Sequence, residues 1–247
     1  MKISAVIITF NEEKNIARCL NSLKNVADEI VVVDSFSTDK TEQICRNFEA
    51  LFFQRKFENY IVQKNYANSL TSNEFILSLD ADEQLSGVLE KAILAEKNQQ
   101  EFDAFSMNRL TNYCGKWIHH SGWYPDKKVR LWKKSTGKWG GPQPHEFVEL
   151  ERGAKVKHLN GDLLHFSYFS IDQHLEQSQR FSEMAAVSLR RRSKFFLLFK
   201  VAFSPAFRFF KTYFLLGGIL DGYYGLVICW TASREVFWKY SKALRQS

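Results

Sequence analysis

The sequence predicts an α/β fold with a parallel, doubly wound sheet, followed by a helical extension at the C-terminal end. Three observations predict it: short apolar runs alternate with helical patterns over residues 1–100, two of these runs end in carboxylates, and residues 193–247 combine aromatic with basic side chains. Alternating strands and helices are typical of a parallel sheet, because each crossover helix covers a face of that sheet. In such sheets, ligands bind beyond the carboxyl ends of the strands.

The predicted elements follow in order along the chain. Apolar runs predict strands at residues 3–10, 29–34, 50–54 and 74–79, and amphipathic patterns predict helices at 11–23, 41–48 and 59–70. Residues 102–170 have the short apolar runs, glycines and prolines of mixed sheet and long loops, and helical patterning returns at 171–192. We therefore divide the chain into three parts, residues 1–100, 101–192 and 193–247.

The net charge of +7 is concentrated in one part of the chain. Residues 1–154 sum to −1, and residues 155–247 sum to +8. A basic segment of this kind suits either nucleic acid or an anionic membrane surface. Here the basic residues lie among Phe, Leu and Tyr, and the sequence has no nucleic-acid-binding motif. We therefore predict an anionic membrane surface as a partner and no nucleic acid.

Two features predict a cytoplasmic location. The four cysteines lie far apart and form no CxxC pair, which indicates free thiols in a reducing compartment. The apolar run at residues 3–10 is short and lacks a small-residue cleavage site, unlike a secretory signal.

The C-terminal part has the pattern of an amphipathic helix at a membrane surface. Four residues at spacings of four, four and three fall on one helical stripe: Lys200, Ser204, Arg208 and Lys211. Pro205 is expected to kink or divide this helix. Residues 212–232 are nearly free of charge, but Asp221 and four glycines disfavour a spanning helix. A monotopic membrane contact is the first interpretation, and a buried dimer or domain interface and a true span stay open.

Two carboxylates follow the fourth predicted strand, in the segment Asp80-Ala-Asp82. No basic residue stands beside them in the sequence, so their repulsion is costly unless a divalent cation or a bound polar ligand lies between them. Mg²⁺ and Mn²⁺ prefer such oxygen ligands, and these ions also bind diphosphates. The alternative interpretation is an acidic turn in which Asp82 and Glu83 cap a helix.

A further carboxylate, Asp34, ends the second predicted strand and is followed by several hydroxyl side chains. It would accept hydrogen bonds from a nucleotide base or ribose. Capping of the next helix by Ser37 or Thr38 is compatible with that role. The sequence has neither a GxGxxG nor a GxxxxGK(S/T) motif, which disfavours the dinucleotide-binding and P-loop classes.

Three motifs together resemble glycosyltransferase family 2. They are Val-Ile-Ile-Thr-Phe-Asn-Glu at residues 6–12, Val-Val-Val-Asp-Ser-Phe-Ser-Thr-Asp at 31–39 and Leu-Ser-Leu-Asp-Ala-Asp at 77–82. Within that family the chain looks like the bacterial lipopolysaccharide-core β-glycosyltransferases. This narrower similarity runs through Asp126, Arg130-Leu131, His145-Glu146, Leu164-His165 and the aromatic tail.

The resemblance implies a GT-A fold, in which a Rossmann-like mixed sheet binds a nucleotide sugar. It implies an inverting transfer from a nucleoside-diphosphate sugar, expected to be a UDP-sugar, with Mn²⁺ or Mg²⁺ as the cofactor. Residues 1–100 would form the nucleotide-sugar-binding half, 101–192 the acceptor-binding half and 193–247 a membrane-associating or oligomerising tail.

The narrower resemblance also implies an acceptor, which would be a lipid-linked or lipopolysaccharide glycan. The basic, aromatic tail predicts that the enzyme is peripheral or monotopic on the inner membrane, and that it forms a homo-oligomer if the tail is an interface. A non-catalytic, membrane-attached scaffold with the same fold is the alternative.

The resemblance assigns the donor site by position: Thr9, Asn11 and Glu12 to the base and ribose pocket, Asp34 to the base, Asp80 to the ribose and Asp82 to the metal. It assigns Lys64 to the sugar or phosphates, and a solvated helix lysine is the equal alternative. His165 follows an apolar segment and is the candidate for a second metal ligand; a structural hydrogen-bond donor is the other interpretation.

Inversion needs a base that removes the proton of the acceptor hydroxyl as its oxygen attacks the anomeric carbon. Relatives use an acidic residue, often in a Glu-Asp pair, whereas this chain has Gln143-Pro-His-Glu146. We predict Glu146 as the base and Asp126 as the second candidate. An ion pair or a loop cap is the alternative role for Glu146.

Aromatic and basic residues alternate near residues 122–131, as a sugar-phosphate acceptor would require. Trp123 would stack on a sugar face, Arg130 would pair with a phosphate, and His145 is a further acceptor candidate. Ordinary packing is the alternative for Trp123.

Overall fold

The apolar runs of residues 1–100 form a parallel sheet, as the sequence predicts. The computed structural model describes residues 1–99, 101–142, 146–189 and 192–246. The first strands are β1 (Ile3–Thr9), β2 (Glu29–Asp34), β3 (Leu51–Gln54) and β4 (Phe75–Asp80), and the helices between them are α1 (Ile16–Leu23), α2 (Thr41–Asn47) and α3 (Tyr60–Ser69). These strands are parallel neighbours in the order β3-β2-β1-β4.

The chain then adds antiparallel strands and makes the sheet mixed. The elements that follow are β5 (Glu83–Leu85), α4 (Gly87–Glu96), β6 (Ala104–Tyr113), β7 (Lys116–Ile118), β8 (Asp126–Lys133), β9 (Gly137–Gly140), β10 (Phe147–Leu150) and β11 (Val156–Tyr168). The sheet order is β3-β2-β1-β4-β8-β6-β11-β5, with β7 paired to β6, while β9 and β10 form a separate pair. The predicted α/β class is confirmed, but β6 and β11 span 10 and 13 residues and are longer than the short strands expected there.

Alternate side chains of β1 enter two different apolar cores. Ile3, Ala5 and Ile7 pack with residues of α1 and α4 in one core. Val6 packs in the other, with Ala67 of α3. A strand covered on both faces carries apolar side chains towards both, which is why residues 5–8 show no alternation in the sequence.

The predicted helix from residue 11 starts later than expected, at Ile16. Asn11 has a φ of +55°, outside helical conformation. Its backbone N–H donates to Ser37 Oγ at 2.8 Å, and its side-chain Oδ1 accepts from the N–H of Thr38 at 2.8 Å. These two bonds hold the loop after β1 against the loop after β2, so the chain cannot begin the helix there.

The chain divides into two compact units. The sheet unit contains Met1–Arg109 and Asp126–His165, and the helical unit contains Leu110–Pro125 and Phe166–Ser247. The long helices of the helical unit are α5 (Ile171–Val187), α6 (Lys194–Phe210) and α7 (Gly222–Arg245). A π-helical turn, Lys211–Leu215, extends α6, and a 3₁₀ turn, Gly218–Asp221, precedes α7.

Pro205 does not divide α6, contrary to one of the two outcomes expected for it. The helix runs through this residue without interruption. The break comes at residues 216–217, where Gly217 has a φ of +67°. Among the described helices none alone is long and apolar enough to cross a membrane, but Lys194–Leu215 and Gly218–Arg245, bent by 70° relative to each other, pass that test as a pair by length and composition.

Candidate active site

The carboxyl ends of β1, β2 and β4 bring three of the predicted donor-site residues together. Thr9 is the register partner of Asp34, and Asp80 is the register partner of Ile8 on the other side of β1. This placement follows from parallel pairing, because all three strands end at the same edge of the sheet.

Asp34 is fully buried, and its carboxylate accepts hydrogen bonds from the backbone N–H and the hydroxyl of Ser37. Ser37 therefore orients Asp34, and helix α2 has no side-chain cap from Ser37 or Thr38. The buried hydroxyl of Thr9 has no hydrogen-bond partner among the described residues. A ligand at this edge would meet that unpaired hydroxyl beside an oriented carboxylate.

Glu12 lies next to this edge in an acidic environment. Burial raises the pKa of its carboxyl group, the side-chain hydrogen bond from Asn15 lowers it, and the negative charge of Asp82 raises it again. The net effect is a pKa above the usual value, which suits a side chain that shares its surroundings with other carboxylates.

A buried cluster of charges lies behind Asp80. Lys64 Nζ is 2.8 Å from one carboxylate oxygen of Asp80, and Arg130 is 2.9 Å from the other. Burial would raise the pKa of Asp80, but these two cations outweigh it and hold the pKa well below its usual value. Lys64 is only 3% exposed, so the interpretation as a solvated helix lysine is wrong.

Glu83, which the sequence analysis did not assign to the site, organises this cluster. Its side chain is buried; one oxygen accepts from Arg130 at 2.7 Å and the other from the backbone N–H of Asp80 at 2.9 Å. Helix α4 is capped by Ser86, so the alternative in which Asp82 and Glu83 cap it is wrong. The only signal in the sequence was that Glu83 directly follows the acidic pair.

The first candidate base, Glu146, lies in the same cluster. One of its oxygens is 3.7 Å from Lys64 Nζ, and the other is buried without a hydrogen-bond partner in the described part of the chain. Lys64 also stands 4.2 Å above the ring of Trp139, which fixes the ammonium between the two carboxylates. Among the described residues, Glu146 is therefore contacted through one oxygen, whereas both oxygens of Asp80 are paired.

Asp126, the second candidate base, is fully engaged. Its carboxylate is 2.8 Å from Arg109 and 3.1 Å from Lys128. Each of its two oxygens therefore already has a cationic partner. The geometry favours Glu146.

The two predicted metal ligands meet in the sheet unit. Strands β5 and β11 pair so that His165 lies opposite Glu83, and His165 Nε2 is 3.2 Å from Asp82 Oδ2. The described residues contain no group of three or more His, Cys, Asp or Glu side chains that would enclose a metal by themselves. The pair fits a divalent ion that takes its remaining ligands from a diphosphate and water, since it offers one oxygen and one nitrogen donor.

The predicted acceptor residues lie in different places. Arg130 is buried, and its guanidinium pairs with Asp80 and Glu83, so its observed partners are internal acids. Trp123 belongs to the helical unit, where it packs edge-on against Tyr113 with 5.7 Å between ring centroids. His145 lies outside the described residues.

The mixed sheet, in which the parallel strands β2 and β4 end in carboxylates, is that of a GT-A fold. The family model for glycosyl transferase family 2 matches residues 4–195, and the chain belongs to that family.

Relatives agree with this assignment. A glycosyltransferase of Rickettsia typhi is 33% identical over 236 residues, covering 92% of this chain and 81% of the relative. The lipopolysaccharide core biosynthesis glycosyltransferase LpsC of Rhizobium meliloti is 25% identical over 263 residues, covering 99% and 95%. The mannosyltransferase PcManGT of Pyrobaculum calidifontis, solved with GDP-Man and Mn²⁺, has a similar fold, with a TM-score of 0.51 at 14% identity, over 78% of this chain and 65% of that one.

Proposed function

We propose that this protein transfers a sugar, with inversion, from a nucleoside-diphosphate sugar to a membrane-linked glycan acceptor. A UDP-sugar is the proposed donor, and the acceptor belongs to the lipopolysaccharide core or another cell-envelope glycan. The assignment to core synthesis is supported by the 25% identity to LpsC along nearly the whole of both chains. The observation that carries the catalytic proposal is the unpaired carboxylate oxygen of Glu146, beside the ammonium that also holds Asp80.

The proposed reaction is one displacement. The acceptor oxygen bonds to the anomeric carbon, its proton passes to Glu146, and the bond from that carbon to the phosphate oxygen breaks. Lys64 holds Asp80 ionised and lies 3.7 Å from Glu146, so it keeps both carboxylates in place. Thr9 and Asp34 end the paired strands β1 and β2, and at this edge of the sheet they would contact the nucleoside.

A divalent ion is part of this proposal. Asp82 and His165 would hold Mn²⁺ or Mg²⁺, which when bound neutralises the charge that develops on the leaving diphosphate. A protein of similar fold was solved with Mn²⁺ and a nucleotide sugar, which supports this choice of ion.

The membrane part of the proposal rests on what we call the aromatic face of α6 and the turn that extends it. Six exposed phenylalanines recur every three to four residues: Phe195, Phe199, Phe203, Phe207, Phe210 and Phe214. An unpartnered stripe of this kind fits a lipid surface, and Lys200, Arg208 and Lys211 on the same segment would meet anionic head groups. We therefore propose that the protein is monotopic on the cytoplasmic side of the inner membrane. Pairing of two aromatic faces in a dimer is the competing arrangement.

The test begins with a screen of purified protein for nucleoside-diphosphate release across sugar nucleotides. With the donor found, Glu146→Gln should lower turnover by about a hundredfold or more while the donor Kd stays near wild type, because the base acts on the acceptor. Asp126→Asn is the matched control and should have a much smaller effect on turnover. The opposite pattern would move the base to Asp126, and no release with any donor would favour a scaffold.

A further inference from the structure

Asp221 is a buried carboxylate in the most apolar part of the chain. Its oxygens accept hydrogen bonds from the backbone N–H of His119 at 3.2 Å, the N–H of His120 at 3.1 Å, His120 Nδ1 at 3.1 Å and the hydroxyl of Ser121 at 3.1 Å. Lys116 Nζ donates to the backbone carbonyl of Asp221 at 2.6 Å. All these residues belong to the helical unit. One side chain therefore holds three consecutive residues of a distant loop.

The partner of this loop is the bend between α6 and α7, residues 216–221. The backbone N–H of Ser121 donates to the carbonyl of Leu216 at 2.9 Å, at the start of the bend. The bend also packs closely against α7, because a Cβ on Gly225 of α7 would lie 1.9 Å from the carbonyl oxygen of Gly218. Loop and bend are thus joined at both ends of the bend, by Leu216 and by Asp221.

The bend also carries an exposed apolar surface. Leu216, Ile219 and Leu220 are exposed, and so is Tyr223 at the start of α7. The carboxylate of Asp221, between them in sequence, is turned inward to the loop. The same short segment therefore offers apolar side chains to its surroundings and a buried anchor to residues 119–121. A buried carboxylate is costly to desolvate and is retained here with four donors, so removing its charge should release the loop.

We propose that Asp221 is a positioning residue that fixes the loop of residues 119–124, which carries Trp123, to a membrane-contacting bend. Lipid contact at the bend then sets the conformation of this loop. The loop is thereby placed at the membrane surface, where it would contact a lipid-linked sugar acceptor. This inference rests on the membrane contact of the proposed function. It adds that the apolar bend and the loop move as one body.

Amide hydrogen exchange tests this without an identified acceptor. The probe is vesicles of phosphatidylethanolamine and phosphatidylglycerol, and peptides covering residues 117–124, α6 and β1 are followed with and without them. In the wild type, vesicles should slow exchange both at the aromatic face and at residues 119–121. In Asp221→Asn, residues 119–121 should exchange about tenfold faster or more, while β1 is unchanged. In this variant vesicles should still slow amide exchange in α6 but no longer slow it at residues 119–121.

Two further variants keep the result interpretable. Ser121→Ala removes one donor without altering charge and should speed exchange of the loop by a smaller factor in the same direction. Asp172→Asn removes an exposed acid of the helical unit and should leave the loop unchanged. Wild-type exchange of residues 119–121 in Asp221→Asn would overturn the anchor. Protection of α6 by vesicles with no change in the wild-type loop would overturn the coupling while leaving the membrane contact intact. Absence of any protection at α6 would overturn both proposals.

Discussion

The proposed membrane contact through the aromatic face makes a quantitative prediction that separates apolar insertion from charge attraction. The apolar perturbation is Phe199, Phe203 and Phe207→Gln, at positions 54%, 61% and 65% exposed. With ~200 Å² of surface per phenylalanine, the three rings leave about 360 Å² in water. Full transfer of that area to hydrocarbon is worth about 9 kcal/mol at ~25 cal/mol per Å². One third of this, about 3 kcal/mol, already corresponds to a loss of more than a hundredfold in partitioning.

The electrostatic perturbation is Lys200, Arg208 and Lys211→Gln. Attraction to anionic lipid is worth about 1 kcal/mol per basic residue near the surface, so this variant should also lose about 3 kcal/mol at low salt. High salt separates the two effects, because it screens charge and leaves apolar insertion intact. We therefore expect the cation variant and the wild type to converge at high salt, while the phenylalanine variant stays weak at every salt concentration.

The assay is sedimentation with anionic and with neutral vesicles over a salt series. The matched control is Lys2, Lys91 and Lys138→Gln, which removes the same charge from exposed positions of the sheet unit and should keep wild-type partitioning to within a few-fold. If the phenylalanine variant sediments with vesicles as fully as the wild type, the aromatic face is not a membrane contact. A concentration-dependent dimer that dissociates in that variant would then identify the face as an interface between two copies.

Three further predictions concern the site and the stability of each unit. Asp82→Ala should lower turnover by about a hundredfold or more with an unchanged Tm, and the wild type should lose activity in chelator and regain it with Mn²⁺ or Mg²⁺; full turnover of the variant in chelator would refute the metal role. Glu83→Gln should lower the free energy of unfolding by about 3 kcal/mol, because it weakens the pairing of the buried Arg130. If denaturant titration gives the variant the same free energy of unfolding as the wild type, the ion pair contributes nothing to stability. Burial lowers the pKa of His174 to about 4, so between pH 6.5 and 4 the unfolded chain binds the extra proton and stability falls as pH falls. The wild type should lose about 2 kcal/mol between pH 7.5 and 5, and His174→Gln should lose measurably less in the same denaturant titrations.

Some site residues could be predicted from the sequence and others could not. The difference is whether a local pattern or the pairing of distant strands brings them together. Asp34 and Asp80 end apolar strands, and parallel pairing places such ends at one edge of a sheet, so their proximity could be predicted from the pattern alone. The ion pairs of Glu83 with Arg130 depend on the antiparallel register of β4 and β8, in which Leu77 lies opposite Leu131. No local sequence pattern predicts that register, because β4 and β8 are far apart in the chain. The sequence alone therefore predicts Arg130 at a phosphate, whereas its observed partners are the internal acids Asp80 and Glu83.

The position of the helix break in the tail could not be predicted from the sequence for a related reason. Pro205 was the obvious breaker in the sequence, but α6 accommodates it, and its carbonyl accepts a hydrogen bond from the hydroxyl of Ser233 on α7. The actual break depends on Gly217 in a left-handed conformation and on the close approach of Gly218 and Gly225. From the sequence alone, the four glycines predict only that a spanning helix is disfavoured. Their packing role needs α7 in place and is not visible in the local pattern.

The base that we propose was chosen by the number of cations that each carboxylate contacts. Asp80 has Lys64 and Arg130 within 2.9 Å, and Asp126 has Arg109 and Lys128 within 3.1 Å. In Asp80 these two cations outweigh burial and hold the pKa well below its usual value, and in Asp126 each of the two oxygens already contacts a cation.

Glu146 meets only Lys64, at 3.7 Å, and keeps one oxygen without a partner among the described residues. If Glu146 took the proton of the acceptor on its unpaired oxygen, its other oxygen would keep the contact with Lys64. Lys64 and Arg130 hold the pKa of Asp80 well below its usual value, whereas Glu146 keeps an unpaired oxygen for the role of base that we propose. Two acids on one lysine can take different roles because their distances from it, and the number of their other partners, differ.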